Sequence, residues 1–368
     1  MAQRTNWGKQ RISLLAGLES EGDPVGRARS LLLIAAFTLA LLAPPVAGHA
    51  ATPAALAAAT VPTYDHVFTI VLENENFAAS WSGPDAPYLQ GLRARGAFAD
   101  QYYGISHVSA DNYIAMTSGQ PATPPFNFDC VSYASCYAAE KAWPDGGRSI
   151  ADQAEAAGRT WKAYMESMPG PCVHPALTDP ADPNQTGYAT RHNPFVYYPP
   201  IVDDTARCAQ HVVPYTDITA DLATEASTPS YVFITPDTCH DAHDTPCTAP
   251  PAHAGEPGGL KSADAFLSSE VEKILASPAW TTSRSLLIVT FDENGFTDLQ
   301  GCCAPPAMGG RIGLVALDSA NRITPGTVTT TTYDHWSYLR TMEDALGITE
   351  HLNMAGLPTT HSMTDLFN

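Results

Sequence analysis

Apolar and polar positions along the chain fall into runs of two kinds. The first kind is short, continuous and rich in β-branched residues: His66–Leu72 (HVFTIVL), Tyr231–Thr235 (YVFIT), Leu286–Phe291 (LLIVTF) and a stretch at Ile312–Leu317. Apolar runs of this length without alternation read as strands buried on both faces. Thr160–Met165 and Ala97–Tyr103 read as further extended segments. The second kind has helical spacing. Lys261–Ala276 is amphipathic, and Pro87–Arg95, Asp111–Thr117, Ser149–Ala157 and Trp336–Leu346 read as shorter helices. Residues 167–215 are rich in Pro, Asp, His and Tyr and carry no period. Strands alternating with helices predict an α/β fold, a central, mostly parallel sheet with helices on both faces.

In such a sheet, side chains that do chemistry gather where the strands end. Glu73-Asn74-Glu75-Asn76 follows the first run, and GISHVSADNY follows Tyr103. PDTCHDAHD follows Thr235, and Asp292-Glu293-Asn294-Gly295 follows Phe291. Asp334-His335 opens the late helix. One polar strand end is an ordinary turn, but five that reach one edge predict a shared site. Asp292 and Glu293 stand side by side after a buried strand, where they repel unless a cation lies between them or one holds a proton.

Glu73, Asn74, Asp292 and Glu293 offer hard oxygen ligands suited to Mg²⁺, Ca²⁺ or Mn²⁺; added histidines shift the preference toward Zn²⁺. Ser109 precedes the expected Asp111 helix. It reads either as a plain N-cap or as a nucleophile at an anion-binding helix start. His243 and His335 are candidates for holding phosphate oxygens or protonating a leaving group. His240 and His107 read rather as turn or core histidines.

Composition narrows the partners. The 368-residue chain is 44% apolar and 15% charged, with a net charge of −19. That charge excludes a nucleic-acid backbone as partner and suits cation binding. Arg27 and Arg29 precede the apolar run Leu31–Ala43, and small residues lead to Ala50. This pattern predicts a secretory signal over residues 1–50. The stretch ahead of Arg27 is long for such a signal, which a true start near Val25 would explain. The run falls short of the roughly 20 residues of a membrane span, so the mature chain is expected to have no stable membrane insertion; a retained N-terminal anchor is the alternative. Residues 51–62 form an Ala/Thr/Pro leader and 63–368 a single domain. The mature chain then carries 14 basic less 35 acidic residues, or −21.

Eight cysteines in an exported chain favour disulfides. Short loops suggest Cys130–Cys136 and Cys239–Cys247, which leaves Cys172–Cys208 to close a longer one. The adjacent Cys302-Cys303 fits less well, and partners elsewhere are the alternative. A zinc site lacks any paired CxxC spacing.

The segments VFTIVLENENF, SHVSADNYIAMTSG, PDTCHDAHD, LLIVTFDENG and YDHWSYLRTMEDALGI together resemble the ordered blocks of the phosphoesterase family. That family includes bacterial acid phosphatases and phosphatidylcholine-type phospholipases C. The resemblance implies an alkaline-phosphatase-like fold with a metal-assisted nucleophile at a helix start. By block, Ser109 matches the nucleophile, and Asn74 and Asn112 match amides that hold substrate. Glu73, Asn74, Asp292 and Glu293 match the metal site, and His243 and His335 match the catalytic histidines. Val108 and Asp111 stand where prolines often flank the nucleophile, and His240 is an addition to its block. The implied function is that of a secreted, metal-dependent phosphatase acting on a phosphorylated small molecule or phospholipid. A phospholipase C is the nearest alternative, disfavoured because no lipid-facing apolar patch is evident. An exported phospho-ligand-binding module without catalysis is the alternative from another class.

Overall fold

The computed structural model describes residues 60–176, 187–247, 253–303 and 307–368. The expected signal and residues 51–59 of the expected leader lie outside the described residues.

The continuous apolar runs form the strands their pattern predicts. In chain order the strands are β1 (His66–Leu72), β2 (Ala97–Ala99), β3 (Tyr102–Tyr103), β4 (Trp161–Met165) and β5 (Val212–Pro214). They continue with β6 (Tyr231–Thr235), β7 (Ser285–Phe291), β8 (Leu314–Asp318), β9 (Thr327–Thr329) and β10 (Tyr333–Asp334). Every residue of β1, β6 and β7 is buried, as in a sheet covered on both faces. Eight strands form one sheet in the order β5-β4-β6-β1-β7-β8-β2-β9, and β3 and β10 form a separate pair. Neighbours from β5 through β7 run parallel, and β8 is antiparallel to both β7 and β2. The sheet is therefore mostly parallel, as expected.

Three local expectations change. Ala97–Tyr103 is two strands, because the chain turns at Asp100-Gln101 and sends β3 to pair with β10. The helix expected from Asp111 runs Ser109–Ser118, so its N-cap is Val108 and Ser109 is its first residue. The region without period contributes an edge strand, β5, too short to show a pattern.

The Ser109–Ser118 helix packs against the late helix His335–Ala345, and Asp334 caps the latter by accepting from Ser337 N at 2.9 Å. All eight cysteines are paired: Cys130–Cys136, Cys172–Cys208, Cys239–Cys247 and Cys302–Cys303. The last pair replaces the partners elsewhere that the sequence left open. No helix among the described residues is long and apolar enough to cross a membrane.

Candidate active site

Register builds the site. Leu72 of β1 lies opposite Phe291 of β7. The next residues, Glu73 and Asp292, therefore emerge side by side, and both are buried. Glu73 N donates to the main-chain oxygen of Asp241 at 2.7 Å, which ties the loop after β6 to the same edge. Gly104 passes so near that a Cβ there would lie 2.8 Å from the Asp292 carbonyl oxygen.

Ser109 opens its helix at this edge, and its Oγ donates to Glu73 Oε2 at 3.2 Å. The neighbouring Ala110 N–H is held by Asp129 Oδ1 at 3.1 Å. Asp111 points sideways, accepting from Ser106 Oγ and Thr123 N, so it braces the turn that prolines would otherwise stiffen. Burial raises its carboxyl to about 7. Asn112 shapes the same turn: Oδ1 accepts from Ile105 N and Ser106 N, and Nδ2 reaches Glu293 Oε2 at 3.0 Å. Asn74 Nδ2 donates to the other oxygen, Glu293 Oε1, at 3.2 Å. Glu293 is thus gripped by the two amides expected at the substrate.

The structure adds two residues that the sequence reading missed. His192 lies in the region without period and is fully buried. Its Nε2 is 2.9 Å from Glu73 Oε1 and its Nδ1 is 3.3 Å from Asp241 Oδ2. Its ring stacks on Tyr113 of the Ser109 helix, with centroids 5.3 Å apart. Asp241 was one acid among several in PDTCHDAHD. The only hint of His192 was the length of the unpatterned stretch, since long loops in compact domains tend to be functional.

The His243 N–H donates to Asp241 Oδ1 at 2.8 Å, and its ring lies 6.4 Å from that of His192. His240 of the same loop turns away toward Glu166 and Glu256. His335 differs from expectation. It is fully buried; Nε2 donates to the Asp292 carbonyl oxygen at 2.5 Å, and Nδ1 accepts from Tyr102 OH at 2.7 Å. Both nitrogens are used, and burial pushes its pKa down to about 4. A neutral ring committed on both sides neither holds phosphate nor donates a proton to a leaving group.

The electrostatics call for positive charge. Burial raises Asp292 far above the carboxylate range, and the charges of Glu73 and Glu293 add to it. Burial and Glu73 raise Glu293 to about 9. Burial raises Asp241 to about 6. Burial would also raise Glu73, but the His192 charge outweighs it and holds Glu73 below the usual range. Burial opposes the charge on His192, yet Glu73 outweighs it and lifts that ring to about 9. Glu73 Oε1, Asp241 Oδ2, Asp292 Oδ2 and both nitrogens of His192 lack an aligned hydrogen bond, although His192 lies close to its carboxylates. Glu73, His192 and Asp241 each offer a ligand atom within 4.8 Å of the others. Buried carboxylate oxygens without donors, beside an imidazole, are a donor set that fits a divalent cation.

Apolar side chains are exposed on loops near the Ser109 helix. Phe128, Val131, Phe296, Leu299 and Met308 are exposed. They sit on two loops that flank Ser109. Asp129, between Phe128 and Val131, holds Ala110 N, and the Phe296 ring lies 5.7 Å from that of His107. Met308 N donates to Ile105 O. Exposed apolar side chains therefore stand on loops beside the Ser109 helix start.

Comparison with known proteins agrees with this geometry. The family described as "Phosphoesterase family" matches residues 71–349. The "Phosphate-repressible acid phosphatase" of Penicillium chrysogenum is 30% identical over 230 residues, which cover 62% of this chain and 48% of that protein. This chain thus spans about half the length of that relative. The "Phosphatidylinositol-3-phosphatase" of Mycobacterium tuberculosis is 26% identical over 337 residues, 91% of this chain and 94% of its own. The lipoteichoic acid synthase of Listeria monocytogenes superposes with a TM-score of 0.53 at 13% identity, covering 82% of this chain and 76% of that one. A protein of the alkaline phosphatase superfamily from Vibrio parahaemolyticus gives 0.51 at 12% identity, covering 78% and 67%. The last two likenesses are of fold, and the fold is alkaline-phosphatase-like.

Proposed function

From the premise that the chain belongs to the phosphoesterase family, we propose that it is an exported, metal-dependent hydrolase of phosphate monoesters with Ser109 as nucleophile. The observation that carries this reading is Ser109 Oγ at a helix start, 3.2 Å from Glu73 Oε2 and among buried carboxylates. Four disulfides and no free thiol among the described cysteines support export.

Glu73, Asp241 and Asp292, with His192, would hold a divalent cation, and Glu293 stands beside them in the grip of Asn74 and Asn112. When bound, the cation supplies positive charge that favours the serine alkoxide and offsets charge on the phosphoryl oxygens. Glu73 orients the hydroxyl by accepting its hydrogen bond. Ser109 Oγ gives up its proton to solvent and attacks phosphorus, the ester P–O bond breaks, and the leaving oxygen takes up a proton. We assign its delivery to His243, whose side chain is 35% exposed. Water then cleaves the phosphoserine and releases phosphate. The positive end of the helix that Ser109 opens would favour negative charge on the transferred group. His335 acts only through Asp292, whose carbonyl it holds.

The exposed apolar side chains on the loops beside Ser109 would suit a leaving group with an apolar portion, so the substrate class proposed is a phosphomonoester of a lipid or aryl alcohol. The same side chains are compatible with the phospholipase C reading. Release of nitrophenol from p-nitrophenyl phosphate and from its phosphorylcholine diester, each with added Mg²⁺, Ca²⁺, Mn²⁺ or Zn²⁺, separates the readings. Faster monoester cleavage supports the phosphatase, and faster diester cleavage overturns it in favour of a phospholipase. Cleavage of neither, with any metal, leaves the binding module.

A further inference from the structure

The loop after β6 carries a second cluster that the mechanism does not use. His240 Nδ1 lies 2.8 Å from Glu166 Oε1, and His253 Nε2 lies 2.9 Å from Asp237 Oδ2. The two imidazole rings meet edge to face with centroids 4.3 Å apart. The remote nitrogens of both rings converge on one carboxylate: His240 Nε2 on Glu256 Oε2 at 3.1 Å, and His253 Nδ1 on Glu256 Oε1 at 2.9 Å. Glu166, Asp237, His240 and His253 each bring a ligand atom within 4.8 Å of the others. Cys239 lies beside them but is tied up in its disulfide with Cys247.

The hydrogen bonds close only with added positive charge. A neutral imidazole has one donor and one acceptor, and an ionised carboxylate only accepts. Four ring nitrogens face four carboxylate oxygens, so two neutral rings satisfy two of the four contacts. The others need positive charge, supplied either by protons on the rings or by a cation between the inner nitrogens and the inner carboxylates. Glu256 already occupies the outer nitrogens, which is how a carboxylate orients metal-binding histidines and turns their other nitrogen toward the ion. Two imidazoles and two carboxylates form a donor set that suits Zn²⁺.

We propose that His240, His253, Asp237 and Glu166 form a second divalent-cation site, suited to zinc and oriented by Glu256, apart from the Ser109 centre. The ion would tie the end of β4, where Glu166 stands, to the loop that carries Asp241 and His243. It would hold one wall of the active site in place without touching the reaction. This assignment does not depend on the proposed reaction.

The test is zinc stoichiometry on the full mature chain, stripped of metal, reloaded with Zn²⁺, desalted and counted by elemental analysis. Wild type, the His240→Gln/His253→Gln double variant and Asp292→Asn are compared. The double variant should hold one zinc per chain fewer than wild type, and Asp292→Asn should keep that zinc. Equal zinc in wild type and the double variant overturns the proposal. If wild type holds a single zinc and the double variant loses it, this site stands and a zinc ion at the Ser109 centre does not. Should the variant fail to fold, wild type alone decides. Zinc should block diethylpyrocarbonate modification of His240 and His253, read by peptide mass, and unchanged modification of both overturns the site.

Discussion

His335 Nε2 is bonded to the main-chain oxygen of Asp292 at 2.5 Å, so this histidine faces the strand end and not the pocket. Its partner on the other side, Tyr102 OH, fixes Nδ1 as an acceptor. His335→Ala should leave a buried carbonyl without its donor and cost about 1–3 kcal/mol of stability. Activity should fall because Asp292 shifts, while the pH–rate profile keeps its shape. Loss of one limb of that profile, with stability unchanged, would instead make His335 a proton donor.

Metal should stabilise the fold. Without a cation, burial and the charge of Glu73 keep protons on Asp292 and Glu293, and a bound ion displaces them. At a hundredfold excess over its dissociation constant, a bound ion adds about 2.7 kcal/mol. A chelator should therefore lower the melting temperature of wild type. Asp292→Asn should both reduce the metal-dependent part of that shift and lower activity. A wild-type melting curve indifferent to chelator and to added metal would remove the ion from the mechanism.

Much of the site was legible because it follows from strand ends. Glu73-Asn74 and Asp292-Glu293 each trail a seven-residue buried strand, and parallel register brings them together. His192 and Asp241 were not legible. Neither sits at a periodic position, and only tertiary packing against Tyr113 and Glu73 gives His192 its role. The contacts of His335 were not legible, because sequence shows a residue at a helix start, not which way its ring points. β5 and the antiparallel direction of β8 were hidden for a similar reason: a three-residue strand has no period, and strand direction depends on the connection.

Stability should fall from about pH 5 to about pH 8. Burial raises Glu140 from an ordinary 4.5 to about 8, and Glu343 likewise. Between those values the folded chain holds protons that the unfolded chain has released, so stability declines as pH rises through the window. Glu140 accepts from Gln120 Nε2 at 2.8 Å, a bond that a glutamine side chain can keep. Glu140→Gln should therefore flatten the decline in melting temperature. An unchanged slope would show that Glu140 does not carry the proton.

Peptide mass mapping without reduction should find all eight cysteines in the four pairs described. Cys172–Cys208 closes the longest of these loops, with a sequence separation of 36. Removing it by Cys172→Ser/Cys208→Ser should cost about 4 kcal/mol on the chain-entropy estimate. Free thiols throughout would argue for a reducing compartment and against export.

The central claim rests on one oxygen, Ser109 Oγ. The direct measurement is turnover of p-nitrophenyl phosphate by metal-loaded wild type and Ser109→Ala, with circular dichroism and metal content recorded for both. The variant should keep its fold and metal and lose at least about a thousandfold in rate, roughly 4 kcal/mol of barrier. Turnover by a folded, metal-loaded Ser109→Ala within about tenfold of wild type, or roughly 1.4 kcal/mol, would contradict the assignment of Ser109 as nucleophile.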